Sequence, residues 1–86
     1  MEEKIMSYTI EFYRSGVLYD LAIMEVTEKD VLSTLEDTLY ILQELTPVKR
    51  NWKDSLMTFG AAAFEYCDNI AFVSYCEHTR TFSVLE

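Results

Sequence analysis

Glycine, proline and cysteine are scarce in this 86-residue sequence, which contains two Gly, one Pro and two Cys. Two glycines cannot form a glycine-rich phosphate loop or a dinucleotide-binding fingerprint. Long apolar runs are also missing, because the longest stretch without a charge, Ser55 to Phe64, is about half of what a bilayer requires. The start, Met1-Glu2-Glu3-Lys4, is acidic where a signal peptide is positively charged. We therefore expect a cytoplasmic protein without a membrane span.

Basic residues are few as well, with seven Lys and Arg against fifteen Asp and Glu and a net charge of −8. A chain so poor in cations is not expected to bind nucleic acid directly, because that binding neutralises phosphates with Lys and Arg. Residues 1–46 hold ten acidic and three basic side chains, whereas residues 47–86 hold five and four. Half of the residues are apolar, enough for a core, so we expect one folded domain over residues 1–86.

A β-hairpin is predicted near the start. Residues 8–13 (YTIEFY) alternate as a half-buried strand does, Arg14-Ser15-Gly16 suit a three-residue loop, and Val17 to Val26 form the return strand. The return strand has apolar residues on both faces: Val17, Tyr19, Leu21 and Ile23 on one, and Leu18, Ala22, Met24 and Val26, with Asp20, on the other. The second face is therefore covered by a helix or meets a partner. Met24 is its candidate partner-binding residue.

An amphipathic helix follows, starting at Thr27-Glu28-Lys29-Asp30 and ending before Thr46-Pro47. Its apolar stripe consists of Val31, Leu32, Leu35, Leu39, Leu42 and Leu45. Residues 55–67 (SLMTFGAAAFEYC) fit a helix or a strand, and residues 70–76 and 81–85 fit strands. The predicted order is ββααββ, or alternatively ββαβββ. Both orders predict an α+β fold, with an antiparallel sheet of about four strands and one or two helices packed on it.

The sequence contains only weak candidates for catalytic or metal-binding residues. Cys76 and His78 are two residues apart and would share a strand face, but no Asn or Asp is placed to orient the histidine. Cys67 and Asp68 extend this set to four possible zinc ligands, without the close paired spacing of structural zinc sites. We therefore predict no catalytic residue, no metal site and no cofactor, and expect that the protein is not an enzyme.

Asp30, Asp37 and Glu44 form the most distinctive charged pattern. Their seven-residue spacing keeps them near one line along the helix, about 10 Å apart. Such a line can compete for a groove that normally holds nucleic-acid phosphates, although a solvated helix face has the same pattern. The twelve aromatic residues exceed the needs of a small core. Trp52, within the basic stretch that contains Lys49, Arg50 and Lys53, and Tyr13, Tyr40 and Tyr75 are therefore also interface candidates.

The arrangement of a tyrosine-containing first strand (MSYTIEF), a capped helix, an alanine-rich segment (DSLMTFGAAAFEY) and a final strand (FSVLE) is similar to that of small phage anti-CRISPR inhibitors of the Cas9 HNH nuclease. The resemblance covers most of the chain as an arrangement. As residues, it covers Asp54-Ser55 and Ala61-Ala62-Ala63, and no nuclease-contacting residue is transferred by it. It implies a phage protein that inhibits a nuclease.

Two functions follow from these observations as hypotheses. The first is a small acidic protein that binds and occludes a partner protein, for example a nuclease or another basic nucleic-acid-binding protein. Its partner-binding residues would be Asp30, Asp37, Glu44, Met24 and Trp52. The alternative is a homo-oligomeric structural or regulatory module, for example a homodimer, that pairs through the outer face of the hairpin.

Overall fold

The computed structural model describes residues 3–86, which form one sheet covered on one face by two helices. The strands are β1 (Ile5–Arg14), β2 (Val17–Thr27), β3 (Thr46–Pro47), β4 (Ala61–Tyr66), β5 (Asn69–Cys76) and β6 (Thr81–Leu85). The helices are α1 (Val31–Gln43) and α2 (Trp52–Phe59). Half of the described chain is strand and a quarter is helix.

The six strands lie in the order β2-β1-β6-β5-β4-β3. All neighbouring pairs are antiparallel except β1 and β6, which are parallel and align Thr9 with Thr81 and Tyr13 with Leu85. The chain builds the β1–β2 hairpin, crosses with α1 to the opposite edge, and returns through β4, β5 and β6 to β1. The α+β class with two helices is confirmed, but the predicted four-stranded antiparallel sheet is wrong because the sheet is six-stranded and mixed.

Both predicted element orders are also wrong, since the observed order is ββαβαβββ. Thr46-Pro47 ends the α1 region but also pairs with β4 as a two-residue strand, a position that suits proline because it lies at an edge. Residues 55–67, which were expected to be one element, divide at Gly60. Gly60 ends α2 with φ +80°, and its N–H donates to the carbonyl oxygen of Leu56 at 2.9 Å.

The core lies between the helices and one sheet face. Its fully buried members are Ile10, Phe12, Leu35, Leu39, Leu56, Phe64, Val73, Phe82 and Val84. The hairpin loop is shorter than predicted, because Arg14 pairs with Val17 and leaves Ser15 and Gly16 as a two-residue turn with positive φ at both positions. The register then shifts opposite Phe12 and Tyr13, so one residue of β2 is bulged.

The bulge decides which face of β2 enters the core. Beyond it, Ala22 pairs with Ile10 and Met24 with Tyr8, so these residues face the helices, while Leu21 and Ile23 pair with Glu11 and Thr9 on the opposite face. Ala22, Met24 and Val26 therefore contribute to the core and its margin. Cover by a helix is the correct alternative for Ala22, Met24 and Val26. Leu18, predicted on the same face, lies before the bulge and is exposed on the opposite face beside Tyr13.

Candidate functional site

The outer side of α1 brings together the three carboxylates that the sequence singled out. Val31, Leu35 and Leu39 are buried against the sheet, which turns the opposite side of the helix toward solvent. Asp30 is the N-cap, Asp37 lies in the middle of the exposed side, and Glu44 is the C-cap in a left-handed conformation, φ +55°. All three are exposed, so the structure presents them as one row along the helix.

Two apolar side chains lie within this row, between Asp37 and Glu44. Tyr40 is 57% exposed and Ile41 is 76% exposed. On a helix they are the three- and four-residue neighbours of Asp37 and Glu44. We refer to Asp30, Asp37, Tyr40, Ile41 and Glu44 as the acidic ridge. Sequence reasoning missed Ile41, although its helical position outside the buried stripe marks it as exposed.

No basic residue lies within α1, and the cation next to the acidic ridge in sequence is Lys29, which precedes Asp30. Among residues 3–86, one salt bridge forms, between Arg14 and Glu86, and it does not involve the ridge. The distance between the guanidinium nitrogen and the carboxylate oxygen is 3.5 Å. The dipole of the helix favours a negative charge at Asp30 and opposes one at Glu44. The ridge therefore carries a net negative charge beside exposed apolar surface.

Met24 and Trp52 do not join this surface. Met24 is 4% exposed and Trp52 is 5% exposed, and both belong to the core cluster. Trp52 begins α2 and packs edge-on against Phe64, with 5.1 Å between ring centroids. The nearby cation is Lys53, whose Nζ lies 5.7 Å from the centre of the Trp52 ring. The structure thus places these two predicted partner-binding residues inside the fold rather than at a contact surface.

Cys76 and His78 are exposed at the end of β5 and in the following turn. The pKa of the Cys76 thiol is lowered, mainly because the Thr79 hydroxyl donates a hydrogen bond to it. No hydrogen bond joins the Cys76 and His78 side chains in the described part of the chain.

The possible zinc ligands are spread along β5. Cys67 lies in the turn before this eight-residue strand and Cys76 at its end, a distance of about 25 Å at 3.3 Å per residue. Within residues 3–86, no group of three or more His, Cys, Asp or Glu side chains is placed to hold a metal ion. Cys67 and Cys76 cannot ligate the same ion in this fold.

A concave region of about 480 Å³ lies where α1 and α2 meet the end of the sheet. Its charged lining residues are Glu28, Lys29, Lys53, Glu77 and Arg80. These three cations and two carboxylates include no pair of a nucleophile and a base. The lining of this region therefore does not form a recognisable catalytic site.

The sheet face opposite the helices, here called the open face, carries a continuous apolar row. Successive strands align Leu18, Tyr13, Leu85, Phe72 and Ala63 across β2, β1, β6, β5 and β4. Leu18, Leu85 and Phe72 are exposed. The next row along the strands is more polar and contains Leu21, Glu11, Ser83, Ser74 and Ala61. One apolar row thus crosses the open face, and Leu21 and Ile23 add exposed apolar surface beside it.

Comparison with known proteins identifies no relative of this chain. No protein-family model matches the chain, and neither the curated proteins nor the solved structures contain a significant match. Among residues 3–86, neither helix has the length and apolar character needed to cross a membrane. The acidic ridge and the open face are therefore the features that bear on function.

Proposed function

We propose that the protein is a non-enzymatic, cytoplasmic interaction protein that binds and occludes a basic partner protein through the acidic ridge. The observation that carries the proposal is the exposed row of Asp30, Asp37 and Glu44, with Tyr40 and Ile41 between its members and no Lys or Arg in α1. Carboxylates steer a cationic partner and set its register. A central tyrosine is a residue type that often dominates binding energy.

The partner class with the best complementarity is a protein with a phosphate-binding groove, such as a nuclease. A row of carboxylates spaced about 10 Å apart along a helix presents negative charge in a line, as a nucleic-acid backbone does. The resemblance of the strand and helix arrangement to phage anti-CRISPR inhibitors supports a nuclease as the partner. A phage origin belongs to this proposal.

Charge reversal tests the role of the ridge. The variant Asp30→Lys, Asp37→Lys, Glu44→Lys changes only exposed positions, so it should fold. The matched control, Asp54→Lys, Glu65→Lys, Glu77→Lys, changes three other exposed acids and shifts the net charge by the same amount.

The native partner is first captured from a host extract with the wild-type protein and identified. Its affinity is then measured for all three proteins at low and high salt. The ridge variant should bind at least about 100-fold more weakly, because three charge pairs each become repulsive. The control should keep most of the affinity. Equal losses in the two variants would show that only the net charge matters, and no loss in the ridge variant would refute the proposal.

A second candidate function is homo-oligomerisation through the outer face of the hairpin. The apolar band of the open face favours it, and the residues concerned are Leu18 and Leu21 rather than the buried Met24. A dimer in sedimentation equilibrium that dissociates on Leu18→Lys or Phe72→Lys would support this function. A monomer at millimolar protein concentration would exclude it.

A further inference from the structure

The two edges of the sheet differ sharply. The β3 edge consists of two residues and includes Pro47, which has no N–H to donate. The β2 edge has eleven residues, from Val17 to Thr27, without proline or lysine. Natural edges are usually blocked by such residues or by being short. Among residues 3–86, no strand pairs with the outer side of β2, so this edge is long and open.

A hydrogen bond in the sheet identifies which backbone groups of β2 point outward. The N–H of Thr9 donates to the carbonyl oxygen of Arg80 at 3.0 Å, on the β6 side of β1. Because backbone groups alternate in direction along a strand, Thr9 and its partner Ile23 form a pair without mutual hydrogen bonds. The N–H and C=O of Ile23 therefore point away from β1, and so do those of Leu21 and Glu25.

One of these outward groups already has a local partner. The N–H of Leu21 donates to the Asp20 carboxylate, Oδ1, at 2.8 Å. The side chain of Asp20 thus occupies the position that an added strand would take at this donor. It leaves the amides of Ile23 and Glu25 open, whereas an added strand that also pairs with Leu21 would require Asp20 to turn away toward a cation.

The side chains along this edge specify the chemistry of the occupant. Leu21 is 50% exposed and Ile23 is 63% exposed on the open face. Both can pack against apolar side chains of a neighbouring strand. The charged residues of β2 are Asp20 and Glu25, both acidic. A second copy would bring another net charge of −8 against them, which opposes self-pairing.

We infer that the outer edge of β2 binds an extended segment of a partner protein, with apolar side chains toward Leu21 and Ile23 on the open face and Lys or Arg at the alternating positions, on the sheet face that carries Asp20. The added segment pairs with the outward groups of Ile23 and Glu25 and extends the sheet, the strand-addition mode of peptide recognition. This inference goes beyond the acidic ridge, which lies on α1 and contributes none of these groups.

A short synthetic peptide provides the probe. It alternates valine and lysine over seven residues (VKVKVKV), with an acetylated N-terminus and an amidated C-terminus. One control replaces each lysine with glutamate. The other retains the charges but carries N-methyl groups on alternate residues, which removes the hydrogen-bond donors along one edge of the peptide. Binding is followed by chemical-shift titration and by amide hydrogen exchange.

The valine–lysine peptide should bind at submillimolar concentration, and both control peptides should bind at least tenfold more weakly. Exchange should slow at the amides of Ile23 and Glu25. The amides of Ala22 and Met24 should not change, because they already pair with β1. Equal binding of the N-methylated peptide, or protection without this alternation, would overturn the inference. Protection of the same amides without peptide, together with a dimer in sedimentation, would assign the edge to a second copy instead.

A proline substitution tests the edge from the protein side. Ile23→Pro removes a donor that the fold does not use, so the sheet should remain intact while peptide affinity falls at least tenfold. Ala22→Pro removes a donor to β1 and should unfold the hairpin instead. Unchanged peptide affinity in a folded Ile23→Pro variant would refute the inference. If Ile23→Pro does not fold, the outward orientation of Ile23 is itself wrong.

Discussion

Substitution of neighbouring residues in β2 tests the bulge that sets the two faces of the hairpin. Met24 is 4% exposed and packs in the core, whereas Ile23 is 63% exposed. Met24→Ala should destabilise the fold by about 2–5 kcal/mol, the range for truncating a buried large side chain. Ile23→Ala should cost about 0.5–1.5 kcal/mol, because only about a third of the side chain is shielded and alanine is a poorer strand former.

These losses of stability are large relative to the total free energy of unfolding. A domain of 86 residues has a free energy of unfolding of about 4–13 kcal/mol. At about 4–8 °C per kcal/mol for a domain of this size, Met24→Ala should lower Tm by about 8–40 °C and Ile23→Ala by about 2–12 °C. Urea unfolding followed by circular dichroism checks the free energies through the midpoint at constant m-value.

Equal destabilisation by the two substitutions would refute the reasoning. It would mean that burial does not distinguish the two faces of β2 at these positions. A much larger effect of Ile23→Ala than of Met24→Ala would mean that β2 lacks the bulge between the turn and Leu21. Ile23 would then lie in the core with its backbone groups toward β1, which would contradict the structure directly.

Two other predictions concern the turns that bound β5. The β4–β5 turn holds Cys67 and Asp68 at φ +44° and +66°, where Asn-Gly is the preferred pair, so replacing both with Asn-Gly should raise the free energy of urea unfolding by about 1 kcal/mol. A loss of stability would show that the side chains, not the backbone, determine this turn. In a Cys67→Ser background, Thr79→Val should shift the alkylation of Cys76 to higher pH, because it removes the main hydrogen bond that lowers the pKa of the thiol. An unchanged rate profile from pH 6 to 10 would contradict that assignment.

The elements that are local in sequence were predictable. The hairpin and α1 have clear periodicity, and the exposed positions of Asp30, Asp37 and Glu44 follow from the buried stripe of α1. Trp52 was misplaced because the aromatic ring lies among basic residues in sequence, while the start of α2 turns it onto Phe64. Neighbours in sequence indicate charge, but not the direction of a side chain.

The remaining features of the fold are not indicated by any pattern in the local sequence. The parallel pairing of β1 with β6 joins Thr9 to Thr81, and no pattern near either residue identifies the other. The division at Gly60 lies within a segment whose composition fits both helix and strand. The bulge in β2 was hidden because apolar residues occur on both faces of the strand, so that either phase satisfies the alternation.

The two-residue strand β3 limits how many chains can share this sheet. Because Thr46-Pro47 offers no continuous row of donors at its edge, growth of the sheet is possible in one direction only. Copies of this chain that share strands at β2 could therefore form a pair but not an open-ended fibre. An assembly built on this sheet has a fixed stoichiometry, which native mass spectrometry would show as one defined complex rather than a ladder of sizes.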